Sequence, residues 1–181
     1  MVSFKCFSFM AISFLATSSF SFNVCHADKA LIDSICKQSQ DYNFCISTIG
    51  NDPRSEAADL HGLALISISL TVIQIQDTLG RIPDILRQLT DPLGQQHLGV
   101  CQNDYSGSLE NFQESFNSSS KHAYLDTINF VRDGTNQVID CHNNYSRNGP
   151  KATSPIAVDD TNVIKLSEII LLTIDPLIHM E

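Results

Sequence analysis

Four cysteines, five histidines and one adjacent aspartate pair carry most of the potential chemistry after residue 27. A thiolate among Cys36, Cys45, Cys101 and Cys141 could attack a carbonyl. Alternatively, cysteines could chelate a metal with histidine, or all four could be consumed in disulfides. His61, His97, His122, His142 and His179 are scattered, and the chain has no Cys-x2-Cys pair and no HExxH. Metal ligation therefore has no close-spaced cluster to build on, and His97 and His142 near Cys101 and Cys141 read as ordinary boundary histidines. No GxSxG motif and no glycine-rich phosphate loop is present. Asp159-Asp160 resembles an acid/base dyad but stands where a helix would open, and carboxylates there complement the positive end of the helix dipole. The inventory points away from an enzyme and calls for no cofactor or metal.

The cysteines also bear on location. Lys5 gives a positive start, residues 7–15 form a short, mostly apolar run, and Cys25-His26-Ala27 is a small-x-small cleavage pattern. Residues 1–27 are expected to be a secretory signal peptide cut after Ala27, leaving a secreted domain of residues 28–181. The polar interruptions at Ser13 and from Thr17 to Ser21 argue against a membrane helix there, and no later segment is expected to span one. Cys6 and Cys25 leave with the signal. An even count in an exported chain implies two disulfides, with three pairings open. Cys36 and Cys45 have a spacing that suits two short helices joined by a turn at Asp41 and Asn43. Cys101 and Cys141 would then tie distant elements, and closing a loop of about forty residues stabilises a fold by roughly 3–4 kcal/mol.

Charge narrows the partners. The chain carries 11 basic and 20 acidic residues, a net charge of −9, and losing the signal removes only the basic Lys5. Such acidity disfavours nucleic acid and anionic membrane and suits a basic protein partner. It also serves solubility alone.

The elements that must position these residues are helical. Residues 28–37 and 42–49 read as two short helices, the second stopped by Gly50-Asn51-Asp52-Pro53. Ser55 or Asp59 can cap the long helix after them. Residues 60–82 are ambiguous. Ile66 to Val72 alternates apolar and polar like a strand, but the length favours a helix with two apolar stripes. Leu63, Ile66, Leu70 and Ile73 form one stripe, and Ile68, Val72, Ile75, Leu79 and Ile82 the other, so this helix should be covered from both sides. Pro83 should kink or end it. Asp91-Pro92 restarts a helix to Phe116, a serine-rich break spans 117–121, and residues 123–144 form another helix with Gly134 as its weak point. A loop at 148–158 leads to a last helix opened by Asp159-Asp160 and frayed by Pro176. The expected fold is all-α: an antiparallel four-helix bundle with a short N-terminal α-hairpin and two disulfides. The second stripe would face the hairpin or a partner, or line a ligand cavity in a helical carrier or storage protein.

The run CKQSQDYNFCISTIGNDPRSEAADLHGLALISISL resembles the start of plant invertase and pectin methylesterase inhibitors, especially invertase inhibitors of the pollen-allergen type. The shared features are Cys-x8-Cys, Tyr42 and Phe44, Asp52-Pro53-Arg54-Ser55-Glu56-Ala57, and Asp59-Leu60-x2-Leu63-Ala64. Cys101 in a polar helix, Cys141 late in the next, and Ser154-Pro155-Ile156 extend the likeness across residues 28–178. The resemblance implies disulfides Cys36–Cys45 and Cys101–Cys141. It also implies a secreted apoplastic or vacuolar protein that covers the active-site cleft of a cell-wall or vacuolar acid invertase, or of a pectin methylesterase. Invertase inhibitors of this family carry Pro-Lys-Phe near the junction of the second and third bundle helices. Lys121, His122, Ala123 and Tyr124 occupy that region here, with Tyr124 in place of the Phe and no Pro-Lys pair. Pro150-Lys151-Ala152 looks similar but falls in the wrong loop. His122 is the histidine expected to bear on function, making binding sensitive to pH near 6. Asn117 and Asn144 head glycosylation sequons, Asn117 in the expected loop and Asn144 near a helix end.

Overall fold

The computed structural model describes residues 29–147 and 154–179, and every regular element in them is helical. A short pair, α1 (Lys29–Cys36) and α2 (Tyr42–Thr48), and a 3-10 turn (Pro53–Ala57) precede α3 (Leu60–Gln88), α4 (Pro92–Ser119), α5 (Tyr124–Arg147) and α6 (Ala157–Ile178). The last four pack antiparallel as a bundle, α3 against α4 and α6, α5 against α4 and α6. The expected signal segment and Pro150-Lys151-Ala152 lie outside the described residues.

Aspartate starts α2, α3 and α4. Asp41 accepts the Phe44 N–H at 3.0 Å, Asp59 the Gly62 N–H at 2.7 Å and Asp91 the Gly94 N–H at 2.8 Å, each satisfying a donor that has no partner within its helix. Ser55 does not cap α3; it is buried in the 3-10 turn. The helix α6 begins two residues earlier than expected, without a side-chain cap.

The strand-like run in α3 is helical. Its apparent alternation comes from Ser67, Ser69 and Thr71, whose hydroxyls donate to the carbonyls of Leu63, Leu65 and Ser67 at 2.8–2.9 Å. Bonded back onto the helix, these polar groups tolerate burial. Neither α3 nor α6 ends at its proline. The helix α3 runs through Pro83 to Gln88, and α6 runs through Pro176 to Ile178. Pro83 is exposed, while Ile82, Ile85 and Leu86 around it pack on the core, so burial on both sides of the missing hydrogen bond holds the helix together.

Both stripes of α3 are covered. Ile68, Ile75 and Ile82 enter the main core with Leu98, Tyr105, Phe112, Val131, Val138 and Ile170. Leu63 and Ile66 meet Ile32, Ile35, Ile49 and Ile169 in a second core under the hairpin. Only Ile73 of the first stripe is largely exposed. Packing thus takes up both stripes of α3, and two surface cavities of about 300 and 250 Å³ lie along α5 and α6, the second reaching Gln38. By length and composition α3 does meet the criteria for a membrane span, contrary to expectation, but it is the core helix between these two clusters.

The hairpin is closed by Cys36–Cys45 and pinned to α6 at its turn. Lys165 donates to Asp41 at 2.8 Å and lies 5.2 Å from the centre of the Phe44 ring. Glu168 accepts from the Gln40 N–H at 3.0 Å and the Ser39 hydroxyl at 3.3 Å.

Helices α4 and α5 share the broadest interface, stapled by Cys101–Cys141 with Cα atoms 4.7 Å apart. Gly134 is not a weak point. A Cβ there would come within 2.9 Å of two ring carbons of Phe112, which is fully buried and has no room to retreat. Gly134→Val is expected to lower stability by about 1–3 kcal/mol despite glycine's poor helix propensity. Gly80, with nothing within 4 Å of its Cβ position, is the control: Gly80→Ala should raise stability by up to about 1 kcal/mol. Urea titration of both variants checks the pair.

Candidate functional site

The turn between α4 and α5 is built by a hydrogen-bonding pattern that fixes its shape. The serine-rich segment does not break α4, which runs to Ser119; the Ser115 and Ser120 hydroxyls donate to carbonyls of their own helix. The His122 N–H then donates to the Ser119 carbonyl at 2.9 Å and the Ala123 N–H to the Ser118 carbonyl at 3.0 Å. This is a Schellman closure, and the residue it places in left-handed backbone is usually glycine. Here it is His122, with φ of 60°. A side chain with a Cβ is disfavoured there by about 1–2 kcal/mol, so the imidazole must make contacts that offset the strain.

It does. The His122 ring stacks on that of His61 from the first turn of α3, with centroids 4.4 Å apart and planes at 30°. The Tyr124 hydroxyl lies 2.7 Å from His122 Nδ1 and 3.1 Å from His61 Nδ1. One hydroxyl thus bridges two imidazoles drawn from distant parts of the sequence. Burial, and then the neighbouring His122, hold the His61 imidazole below its ordinary pKa, against a smaller upward pull from Asp59.

The expected contact residues separate. Lys121 and His122 are exposed and Ala123 is half-buried. Tyr124 is 7% exposed and belongs to the main core, so it anchors the turn and does not project from it. The projecting apolar side chains are Leu125, 67% exposed, and Phe116 on the last turns of α4. Leu125 was detectable in the sequence as the apolar residue out of step with the inward positions Tyr124, Ile128 and Val131. Nothing in the sequence linked His61 to His122. Asn117 is exposed in the last helical turn of α4, not in a loop. Asn144 is half-buried, with its amide 3.4 Å from the His97 carbonyl.

The outer surface of α4 and α5 continues from this turn. Glu110, Glu114, Asp126, Asp133 and Asp140 are exposed along it, α4 contains no Lys or Arg, and α5 contains only Arg132 and Arg147. Among the described residues no three His, Cys, Asp or Glu side chains are placed to hold a metal. The arrangement offers a rigid acidic face with an apolar tip and strained turn, suited to docking.

Residues 30–172 match the family model described as plant invertase/pectin methylesterase inhibitor. The chain belongs to that family. Its members act by inhibiting enzymes and are not enzymes themselves. Pectinesterase inhibitor 5 of Arabidopsis thaliana is 36% identical over 148 residues, covering 81% of this chain and 83% of the relative. The "Putative invertase inhibitor" of Platanus orientalis is 27% identical over 150 residues, covering 78% and 86%. The crystal structure of mutant form A of a pectin methylesterase inhibitor from Arabidopsis superposes with a TM-score of 0.70 at 18% identity, covering 80% of this chain and 95% of that one. That likeness concerns the helical fold. The disulfide pairs read from the family resemblance are those of the structure.

Proposed function

We propose that this chain is a secreted inhibitor of pectin methylesterase that covers the enzyme's active-site cleft with the acidic face of α4 and α5 and the turn joining them. The observation that carries the choice of target is the 36% identity, over four-fifths of the chain, to a relative named as a pectinesterase inhibitor. Acid invertase, favoured by the resemblance in sequence, is the second reading, supported by the relative named as an invertase inhibitor. It is weakened by the burial of Tyr124, the residue that stands in place of the Phe of the Pro-Lys-Phe motif.

The inhibition needs no chemistry from this chain. Helices stapled by Cys101–Cys141 lose little conformational entropy on docking. The carboxylate-lined face favours a cationic enzyme surface, so affinity should fall as salt rises. Glycosylation fits Asn117, which is exposed, better than Asn144, whose amide is engaged with α4.

The deciding experiment titrates purified protein into pectin methylesterase and acid invertase assays between pH 4.5 and 7. Stoichiometric loss of pectin methylesterase activity alone is the expected result; loss of invertase activity alone reverses the choice of target. Leu125→Glu, which changes an exposed residue, should weaken inhibition at least tenfold while leaving the thermal melt unchanged. Unaltered inhibition by that variant would move the contact away from the turn.

A further inference from the structure

We propose that the groove between α5 and α6 binds a partly methyl-esterified polyuronate, with one free carboxylate at Arg132 and a neighbouring ester unit beside Asp175. The two cavities of about 300 and 250 Å³ adjoin there, and Arg132, Glu168 and Leu171 line both. Together they reach the size at which small-ligand sites begin. They follow the helices from Asn136 and Ile164 at one end to Asp175 and Gln38 at the other, a shape that suits a chain of linked rings. Arg132 is the residue that calls for a ligand. Arg54, Arg81 and Arg87 each pair with an aspartate, Asp52, Asp159 and Asp84. Arg132 has no carboxylate at ion-pair distance among the described residues, in a chain with 20 acidic residues. Glu168 lines the same groove but is held by the hairpin, accepting from the Gln40 N–H at 3.0 Å and the Ser39 hydroxyl at 3.3 Å. A guanidinium offers parallel N–H donors that match a carboxylate, so Arg132 can take one from a ligand.

The rest of the lining asks for hydroxyls and an apolar ring face. The Glu168 carboxylate keeps lone pairs for hydroxyl donors beyond its two hairpin bonds. Asn136 supplies an amide, and the Thr135 oxygen can accept because its own proton goes to the Val131 carbonyl at 2.6 Å. Ile164 and Leu171, both half-buried, form an apolar floor. A carboxylate on a hydroxyl-bearing ring is a uronate. Its choice over other hydroxy acids rests on the pectin methylesterase reading, since that enzyme turns methyl esters of such a chain into free acids. The second cavity favours the ester. Glu168 and Asp175 would repel a second free carboxylate, and Arg132 is the only cation in its lining. Ile128, Leu172 and Pro176 offer apolar surface to a methyl group. The groove thus discriminates a junction of free and esterified units from either uniform chain, and such junctions mark polymer on which the enzyme has acted.

The test uses the full secreted chain without enzyme, so groove binding and enzyme inhibition can fail separately. Amide shifts are followed by NMR during titration with three galacturonate hexamers: fully de-esterified, half methyl-esterified and fully methyl-esterified. The half-esterified hexamer should bind at least fivefold more tightly than either of the others, with the shifts concentrated at residues 128–136 and 164–176. Arg132→Gln should lower its affinity at least fivefold, and Arg132→Lys, which keeps the charge but not the paired donors, by less. Asp175→Asn should bring the fully de-esterified hexamer to within twofold of the half-esterified one. Arg132 and Asp175 are both exposed, so these variants leave the core intact. Equal affinity for the three hexamers, unchanged binding by Arg132→Gln, or unchanged discrimination in Asp175→Asn overturns the proposal. So does a groove that ignores every hexamer and shifts only when pectin methylesterase is added, which would assign this surface to the protein partner.

Discussion

Replacing Cys101 and Cys141 together by alanine should lower the stability of the oxidised protein by about 4 kcal/mol, against about 3 kcal/mol for the Cys36–Cys45 pair. The difference follows from loop length, since the bridges close sequence separations of 40 and 9 residues. The longer loop restrains more of the unfolded chain, and both bridges are fully buried. The locations of the effects should differ as well. Without Cys101–Cys141, α4 and α5 lose their covalent staple but keep the Phe112–Gly134 packing, so the bundle weakens as a whole. Without Cys36–Cys45, the hairpin still holds α6 through Lys165 and Glu168, and its loss should be partly local. Urea titration by circular dichroism, paired with hydrogen exchange of residues 29–48, separates the two. Equal losses from both bridges would show that loop closure does not set the difference here.

The second large effect centres on Asp160. It is fully buried in the first turn of α6, accepts from the Tyr105 hydroxyl at 2.7 Å, and lies 3.3 Å from His142 Nδ1. Asp160→Ala strands the buried Tyr105 hydroxyl and should cost about 2–3 kcal/mol; Tyr105→Phe removes the donor and should cost about 1–3 kcal/mol. The double variant should lose less than the sum, because neither partner is then left unpaired. Burial raises the Asp160 carboxyl above its usual range, and the bonds from Tyr105 and His142 recover only part of that shift. The folded state therefore holds the Asp160 proton more tightly than the unfolded state. This contribution to stability is fully present below the unfolded carboxyl value of about 4 and is lost as pH rises through the higher folded value. Asp104, raised by burial and then by Asp140, acts in the same direction. Asp33, Asp41 and Asp52 are lowered by their Lys or Arg partners and act oppositely, but these pairs are largely in water and weak. The urea midpoint should therefore fall more steeply between pH 4.5 and 7 in the unaltered chain than in Asp160→Asn. Parallel slopes would show that Asp160 does not set the pH dependence.

The sequence carried the helix order because its signals were local. Asp59, Asp91 and Pro92 mark helix starts, and three- and four-residue spacing marks inward faces. It misjudged the places where packing overrides local preference. Pro83 and Pro176 sit inside helices because the residues around them are buried, and the serines of α3 imitate a strand because their helix partners are backbone carbonyls. The site was less legible for a related reason. Lys121 and His122 could be placed at an exposed turn from the helix boundary, whereas the inward turn of Tyr124 depends on the whole bundle end. The stack of His122 on His61 joins two residues far apart in the chain, and no periodicity in one sequence reports it.

We propose that this chain inhibits through a folded surface and through no reaction of its own. One titration tests it most directly: increasing amounts of the protein are added to a fixed amount of pectin methylesterase, residual activity is measured, and the complex is then dissociated to weigh the inhibitor. Occlusion by a folded surface predicts a linear fall that reaches zero near one equivalent, with the inhibitor recovered at unchanged mass. Full enzyme activity at tenfold excess, or recovery of the chain cleaved or covalently modified, would contradict it.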